Sequence, residues 1–253
     1  MSTTLAKQLA NAQRELATLQ AEYDEFSYIV SHDLSAPLRQ IEGFMELVVA
    51  NNTDSFDDKT KRHIELVLGG SAQAKQLLEA LLSYSRLNAA TEPYTLLDVN
   101  KIVIETQQCF SAVIAEKNAV INCESLPNII GREAQIKQLF SHLIHNALHY
   151  QLPNSRADIT INAVEMDDVW QFSIKDNGIG VADKFTEKIF KILRRAVPAK
   201  KYAGMGMGLA IARKILQNHH GAIWLESEEG IGSSFYFTIS KTISRAVAKD
   251  LPL

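Results

Sequence analysis

The chain contains no run of about eighteen consecutive apolar residues, so nothing in it is patterned to cross a membrane as a helix. Its first residues, M-S-T-T-L-A-K-Q, lack the apolar centre of a secretory leader, and a cytoplasmic location with no membrane insertion is expected. Cysteine is scarce. Cys109 and Cys123 have apolar neighbours and no C-x-x-C spacing, which reads as two buried free thiols in a reducing compartment. Excess charge is also missing: 26 Lys and Arg stand against 29 Asp and Glu, a net charge of -3, with neither a basic footprint for nucleic acid nor an acidic tail. What remains is 253 residues, 46% hydrophobic and 22% charged, which suits one or two domains with a real core.

Apolar side chains counted back from Val30 fall at Phe26, Tyr23, Leu19, Leu16, Ala12, Leu9 and Leu5, with alternating spacings of four and three. That is a heptad seam, and it predicts one helix from Thr4 to about Ala50, ended by the turn formers Asn51 to Ser55. A second series, Ile64, Val67, Ser71, Ala74, Leu78, Leu81 and Ser85, predicts a helix over about Asp57 to Asn88. One stripe per helix buries little, so the antiparallel hairpin should pair with a second copy as a four-helix bundle, a homodimer. Gly69 and Gly70 each cost about 1 kcal/mol against Ala in a helix, which asks for a reason, either close helix packing or a bend.

Within the first helix lies S-H-D-L-S-A-P-L, Ser31 to Leu38. His32 falls two residues past the seam position Val30, on the outer face. Imidazole has an ordinary pKa of about 6.5 and is largely a neutral nucleophile at cellular pH. Asp33 is placed to orient it or take its proton. Pro37 removes a helix donor and predicts a kink just below. The competing reading is a solvated histidine on a coiled coil.

After a linker at Asn88 to Tyr94 the texture changes. A strand at Thr95 to Asp98, a helix at Val99 to Glu116, strands at Val120 to Cys123 and Asn128 to Gly131, and a helix at Glu133 to Tyr150 lead to two patterned strands, Ile159 to Val164 and Val169 to Lys175. This order predicts an α+β sandwich with helices on one sheet face. The last strand runs into D-N-G-I-G, Asp176 to Gly180, a carboxylate suited to accept from an amino group such as that of adenine. Further on, G-M-G-M-G-L-A-I-A, Gly204 to Ala212, opens a helix whose free N–H groups suit phosphate. The G-x-G-x-G spacing and the loop-like segment before it disfavour a Rossmann turn. Asn146, in L-F-S-H-L-I-H-N-A-L-H-Y, offers an amide oxygen of the kind Mg²⁺ takes. His142, His145 and His149 share that helix, but without a nearby cysteine they make a poor zinc set.

The order of these four motifs resembles the kinase core of a two-component sensor histidine kinase. S-H-D-L-x-x-P-L is most similar to the phosphoacceptor box of the phytochrome-type branch, and the second domain is similar to the ATP-binding domains of gyrase, Hsp90 and MutL proteins. The resemblance spans about residues 25 to 240 and ends with G-I-G-S-S-F-Y-F-T-I, taken as the last strand pair. It implies a coiled-coil helix (1–24), a dimerisation and phosphoacceptor domain (25–90), an ATP-binding domain (95–243) and a tail (244–253). ATP and Mg²⁺ are the implied cofactors. His32 and Asp33 would be catalytic, Asn146 would hold the metal, and Asp176, Gly178 and Gly180 would take the base. Gly204, Gly206, Gly208 and Leu209 would cover the phosphates, with His149, Tyr150 and Ser234 beside them. In the implied lid, Phe185 and Phe190 form an aromatic box. Of Lys191, Arg194, Arg195, Lys200 and Lys201, Arg195 aligns best with a γ-phosphate contact.

The phosphohistidine would then serve an aspartate on a separate response-regulator receiver, docked near Leu38, Ile41 and Phe44, and a separate sensor protein would be a further partner. Two departures stand out. His142 and His149 replace the Asn and Lys usual in the family, and Ala36 stands where phosphatase-competent members carry Thr or Asn. The two histidines leave open a noncatalytic relay or scaffold dimer with a degenerate nucleotide fold, and Ala36 implies weak phosphatase activity towards the partner.

Overall fold

The computed structural model describes residues 2–52, 56–87, 92–153, 155–198, 202 and 204–242. The side chains of 2–10, 13, 16, 17, 20, 21, 23–28, 31, 32 and 52 lie outside that description, and with them the imidazole of His32 and most of the expected seam. So do Lys200, Lys201, part of the expected linker and the tail. The chain divides into two compact units, Met1–Ala90 and Thr91–Leu253.

In the first unit, helix α1 (Ser2–Asn52) continues through Pro37. Helix α2 (Asp58–Arg86) starts where Asp57 accepts a 2.8 Å bond from the Thr60 N–H, which fills one orphan donor of the first turn. The Thr60 side chain, and after it this N–H bond, holds the Asp57 carboxyl below the usual range. The two helices are tied where Ser71 Oγ donates to Leu38 O, 3.3 Å, and where Lys75 meets Glu42 at 3.5 Å. The buried residues of α2, Ile64, Ser71, Leu78 and Ser85, recur every seventh position. The intervening seam residue Val67 is 43% exposed, and Ile41, Phe44, Leu47 and Leu66 are also uncovered in the single chain. A Cβ at Gly69 or Gly70 would meet nothing within 4 Å, so close approach of the chain's own helices is not why glycine stands there.

In the second unit, β1 (Thr95–Asp98) pairs antiparallel with β3 (Asn128–Gly131) as a separate ribbon. The expected helix over 99–116 is broken at Phe110 (φ -101°, ψ 11°) into α3 (Val99–Cys109) and α4 (Ser111–Glu116). The main sheet contains β2 (Val120–Cys123), β4 (Asp158–Glu165), β5 (Val169–Asp176), β6 (Ile223–Glu228) and β7 (Gly232–Ser240), in the order β2-β4-β5-β7-β6. Only β2–β4 is parallel. The terminal motif G-I-G-S-S-F-Y-F-T-I, expected to be a strand pair, supplies a turn and β7 alone, and the partner β6 lies upstream.

Helices α5 (Glu133–His149) and α6 (Gly208–Asn218) contribute the residues that bury the sheet's inner face. Phe140 of α5 meets Phe172 and Phe237 edge-on at 6.1 and 5.7 Å, while those two rings stack at 5.1 Å. All three are fully buried, each contributing roughly 2–3 kcal/mol of transfer free energy. The expected burial of the cysteines is corrected: Cys109 and Cys123 are exposed. Both sit at element ends, where apolar neighbours in sequence do not decide which way a side chain faces.

A buried histidine fixes the two helices at one end. His219 Nε2 accepts from the Arg132 N–H at 3.1 Å, so its proton sits on Nδ1, which donates to Ile215 O at 2.8 Å. Burial lowers its pKa and keeps this neutral form.

Candidate nucleotide site

Asp176 is the last residue of β5 and only 7% exposed. Its Oδ1 accepts from the Gly178 N–H at 2.8 Å, yet burial outweighs that bond and pushes the carboxyl up to about 6. The loop after it is anchored on three sides. Asn177 accepts from the Asp158 N–H and donates to Arg156 O. The Ile179 N–H donates to Tyr150 O at 2.9 Å, and Ile179 O accepts from the Gly230 N–H at 2.8 Å. The glycines here are steric requirements: a Cβ would lie 2.2 Å from Tyr150 O at Gly178 and 2.0 Å from Glu228 O at Gly180, whose φ is +67°.

The register of β5 and β7 corrects one expectation. Ser233 stands opposite Asp176 and is buried, whereas Ser234 stands opposite Lys175, on the other face of the sheet. The signal that finds Ser233 is alternation, because Phe235 and Phe237 are core residues and 233 shares their parity.

The glycine-rich segment runs into α6. Gly204 and Gly206 adopt φ of +135° and +71°, and Gly208 is the first helical residue, followed by Leu209. No side chain caps this N-terminus, so its first-turn N–H groups have no side-chain acceptor at the cap position. A Cβ at Gly208 would come within 3.2 Å of His142 Nδ1, which places that imidazole against the start of α6. Burial, reinforced by His145, pushes His142 down to about 4, so it is neutral at physiological pH.

Asn146 lies one turn further along α5, half-buried. Beyond it rings gather: His145 and His149 stack at 5.3 Å, and Tyr150 and Tyr202 lie 4.9 and 5.8 Å from His149. No group of three His, Cys, Asp or Glu residues suited to a metal occurs among the described residues. Asn146 offers one oxygen, which suits Mg²⁺ held mainly by phosphate and water.

Arg195, expected at a γ-phosphate, instead directs both terminal nitrogens to main-chain carbonyls: Nη1 to Gly204 O at 2.6 Å and Nη2 to Tyr202 O. Phe190 is buried edge-on against Phe235, while Phe185 is half-buried with the Lys184 ammonium 5.2 Å from its ring centre. Lys191 and Arg194 are exposed. Of the five buried polar atoms without a partner among the described residues, three belong to this region: His142 Nε2, Gln151 Oε1 and Arg195 Nε. A buried acceptor at Asp176, a glycine cradle and unmet polar atoms fit a polar ligand such as a nucleotide. Asp33 is exposed on α1.

Residues 131–243 match the family described as histidine kinase-, DNA gyrase B- and HSP90-like ATPases. That match lies within the second unit. The matched span starts at the end of β3 and includes Asn146, Asp176 and the glycine loop. The chain is 35% identical over 234 residues to the phytochrome-like protein Cph1 of Synechocystis sp., an alignment that covers 92% of this chain and 31% of that protein. Its fold also matches ShkA, solved in complex with AMPPNP (TM-score 0.64, 22% identity, 85% of this chain, 45% of that one). A second match is the histidine kinase ThkA, solved in complex with the response regulator TrrA (TM-score 0.58, 21% identity, 85% of this chain, 62% of that one). The chain thus spans under a third of the length of the phytochrome-like relative. No helix among the described residues is long and apolar enough to cross a membrane.

Proposed function

We propose that the chain is the ATP-dependent core of a two-component sensor kinase, which phosphorylates its own His32 and passes the phosphoryl group to an aspartate of a separate response regulator. The observation that carries this reading is Asp176, a carboxylate buried at a strand end, aligned by glycines, and opposite Ser233. Such a group accepts from the exocyclic amino group of adenine, and the cradle at Gly204 to Gly208 faces phosphates with main-chain N–H groups.

The chemistry is positioning and charge stabilisation. The His32 ring nitrogen attacks the γ-phosphorus, the bond to the β–γ bridging oxygen breaks, and ADP leaves. Asp33 takes the imidazole proton. Asn146 would hold Mg²⁺, whose charge would offset that of the phosphates. The uncovered stripe of Ile41, Phe44, Leu47, Leu66 and Val67 supports a homodimer, and the same bundle surface offers the receiver a docking face. A cytoplasmic location follows from the need for ATP and a soluble receiver.

One observation favours a noncatalytic relay: His142 and His149 line the site, and a neutral His142 brings no positive charge to phosphate. Incubation with γ-labelled ATP and Mg²⁺ decides between the two. The kinase incorporates acid-labile, alkali-stable label that maps to His32 by mass spectrometry. Absence of label in a chain that accepts phosphate from a phosphorylated receiver would establish the relay.

Asp176 also gives the binding reaction a pH signature. With its folded pKa near 6, above the ordinary value, the carboxyl favours the unliganded fold most below about pH 4 and loses that advantage as pH rises through 6. An adenine amino group favours the ionised form, so ADP binding at pH 6 should release about half a proton, and almost none at pH 8. Calorimetry in two buffers of different ionisation heat measures this. Identical heats at pH 6 would remove the adenine contact from Asp176.

A further inference from the structure

We infer that Arg195 and Tyr202 form a clasp that positions the glycine-rich phosphate loop before the nucleotide arrives, and that Arg195 acts through the loop, not as a direct contact to the γ-phosphate. The inference rests on the nucleotide reading above and concerns how that site is set. Both terminal nitrogens of the Arg195 guanidinium are engaged by main-chain oxygens, those of Gly204 and Tyr202. The loop crosses directly over this residue. A Cβ at Gly206 would lie 2.7 Å from Arg194 O and 2.9 Å from Arg195 Cγ, so the main chain and the arginine stem are in contact. A second tie runs to another part of the fold. The Tyr202 hydroxyl donates to Gln151 O at 2.8 Å, just past the end of α5, and its ring lies 5.4 Å from that of Tyr150.

The loop is therefore held at its stem by a two-pronged cation and at α5 by a phenol. A segment with three glycines in five residues loses conformational freedom when it closes on phosphates, on the order of 1–2 kcal/mol per residue fixed. Hydrogen bonds made in advance remove part of that cost from binding. The fork geometry is what the role needs. Two carbonyls about two residues apart are bridged by a planar guanidinium, whereas an ammonium is a point charge on a flexible stem.

The two roles make opposite predictions for nucleotides with and without a γ-phosphate. Affinities of wild type, Arg195→Ala, Arg195→Lys and Tyr202→Phe would be measured for ADP and for AMPPNP, with labelling rates at saturating ATP. A clasp predicts that Arg195→Ala and Arg195→Lys each weaken both nucleotides by about tenfold, leaving their ratio unchanged. Tyr202→Phe, which keeps the ring and removes the hydroxyl, weakens both in the same ratio. The rate at saturating ATP stays within about twofold of wild type, because the loop reaches the same bound arrangement. Loss confined to AMPPNP, or rescue by Lys, would overturn the clasp and return Arg195 to the phosphate. A fall in the saturated rate with unchanged affinity would overturn it equally. Wild-type protein that binds neither nucleotide would overturn the nucleotide reading itself, and the clasp with it.

Discussion

His32→Gln should reduce phosphate incorporation to background, a loss of at least about a thousandfold, with ADP affinity unchanged. Glutamine is close to histidine in size and suits a helix better, so α1 should keep its structure. What it lacks is a ring nitrogen with a lone pair poised near neutral pH, and its amide is not a nucleophile toward phosphorus. Nucleotide affinity should hold because His32 belongs to the first compact unit, while Asp176 and the glycine loop belong to the second. Filter-bound label and calorimetry on the same preparation measure both halves. Acid-labile label persisting in the variant would move the acceptor to another histidine. Asn146→Ala is the counterpart, with His32 intact but the proposed metal ligand gone. Mixing the two variants reports the route, since label returns only where one subunit's nucleotide domain serves the other's His32.

A large effect on stability is expected at Gly180. Adding a methyl group there places it 2.0 Å from Glu228 O and 2.9 Å from Glu229 Cα, on a residue with φ of +67°. The left-handed backbone alone costs about 1–2 kcal/mol, and overpacking against main chain adds about 1–3 kcal/mol. Gly180→Ala should thus destabilise the second unit by about 4 kcal/mol and lower its melting temperature by roughly 10 °C. Gly230 supplies the control in the hairpin turn that Gly180 touches. Its φ is +84°, but a Cβ would meet nothing within 4 Å, so Gly230→Ala carries only the backbone penalty, about 1–2 kcal/mol. Thermal melts of the two variants side by side test the contrast. Equal shifts would mean that the contact between the Asp176–Gly180 loop and the β6–β7 turn yields without strain.

Local pattern was enough to locate most elements and not enough to orient every side chain. The strands at 95–98, 120–123 and 128–131 occupy the residues their composition indicates, because turn formers bound each one. The break at Phe110 leaves no mark in the sequence, since no Gly or Pro stands there and the chain turns through a main-chain conformation open to most residues. Ser233 and Ser234 are adjacent in sequence, and only the pairing of β7 with β5 distinguishes them. The exposed cysteines show the same limit, because an edge strand and a helix end each leave one side open. Arg195 is the sharpest case. Its charge suggests an anion, whereas the fold presents two carbonyls at the spacing of its fork. Hydrogen-bond partners set by tertiary structure are not written in the spacing of residues.

The single parallel pairing in the main sheet has a kinetic consequence. Edge strand β2 reaches β4 only across β3 and α5, the helix that carries Asn146, and Val120 aligns with Asp158. That ladder cannot zip locally as a hairpin does; a long chain segment must close first, and closure entropy is spent before any bond forms. Helix α5 lies inside the segment being closed. The edge of the sheet therefore waits on a closure that spans α5, and a chain that stops before β4 cannot form the β2–β4 ladder at all.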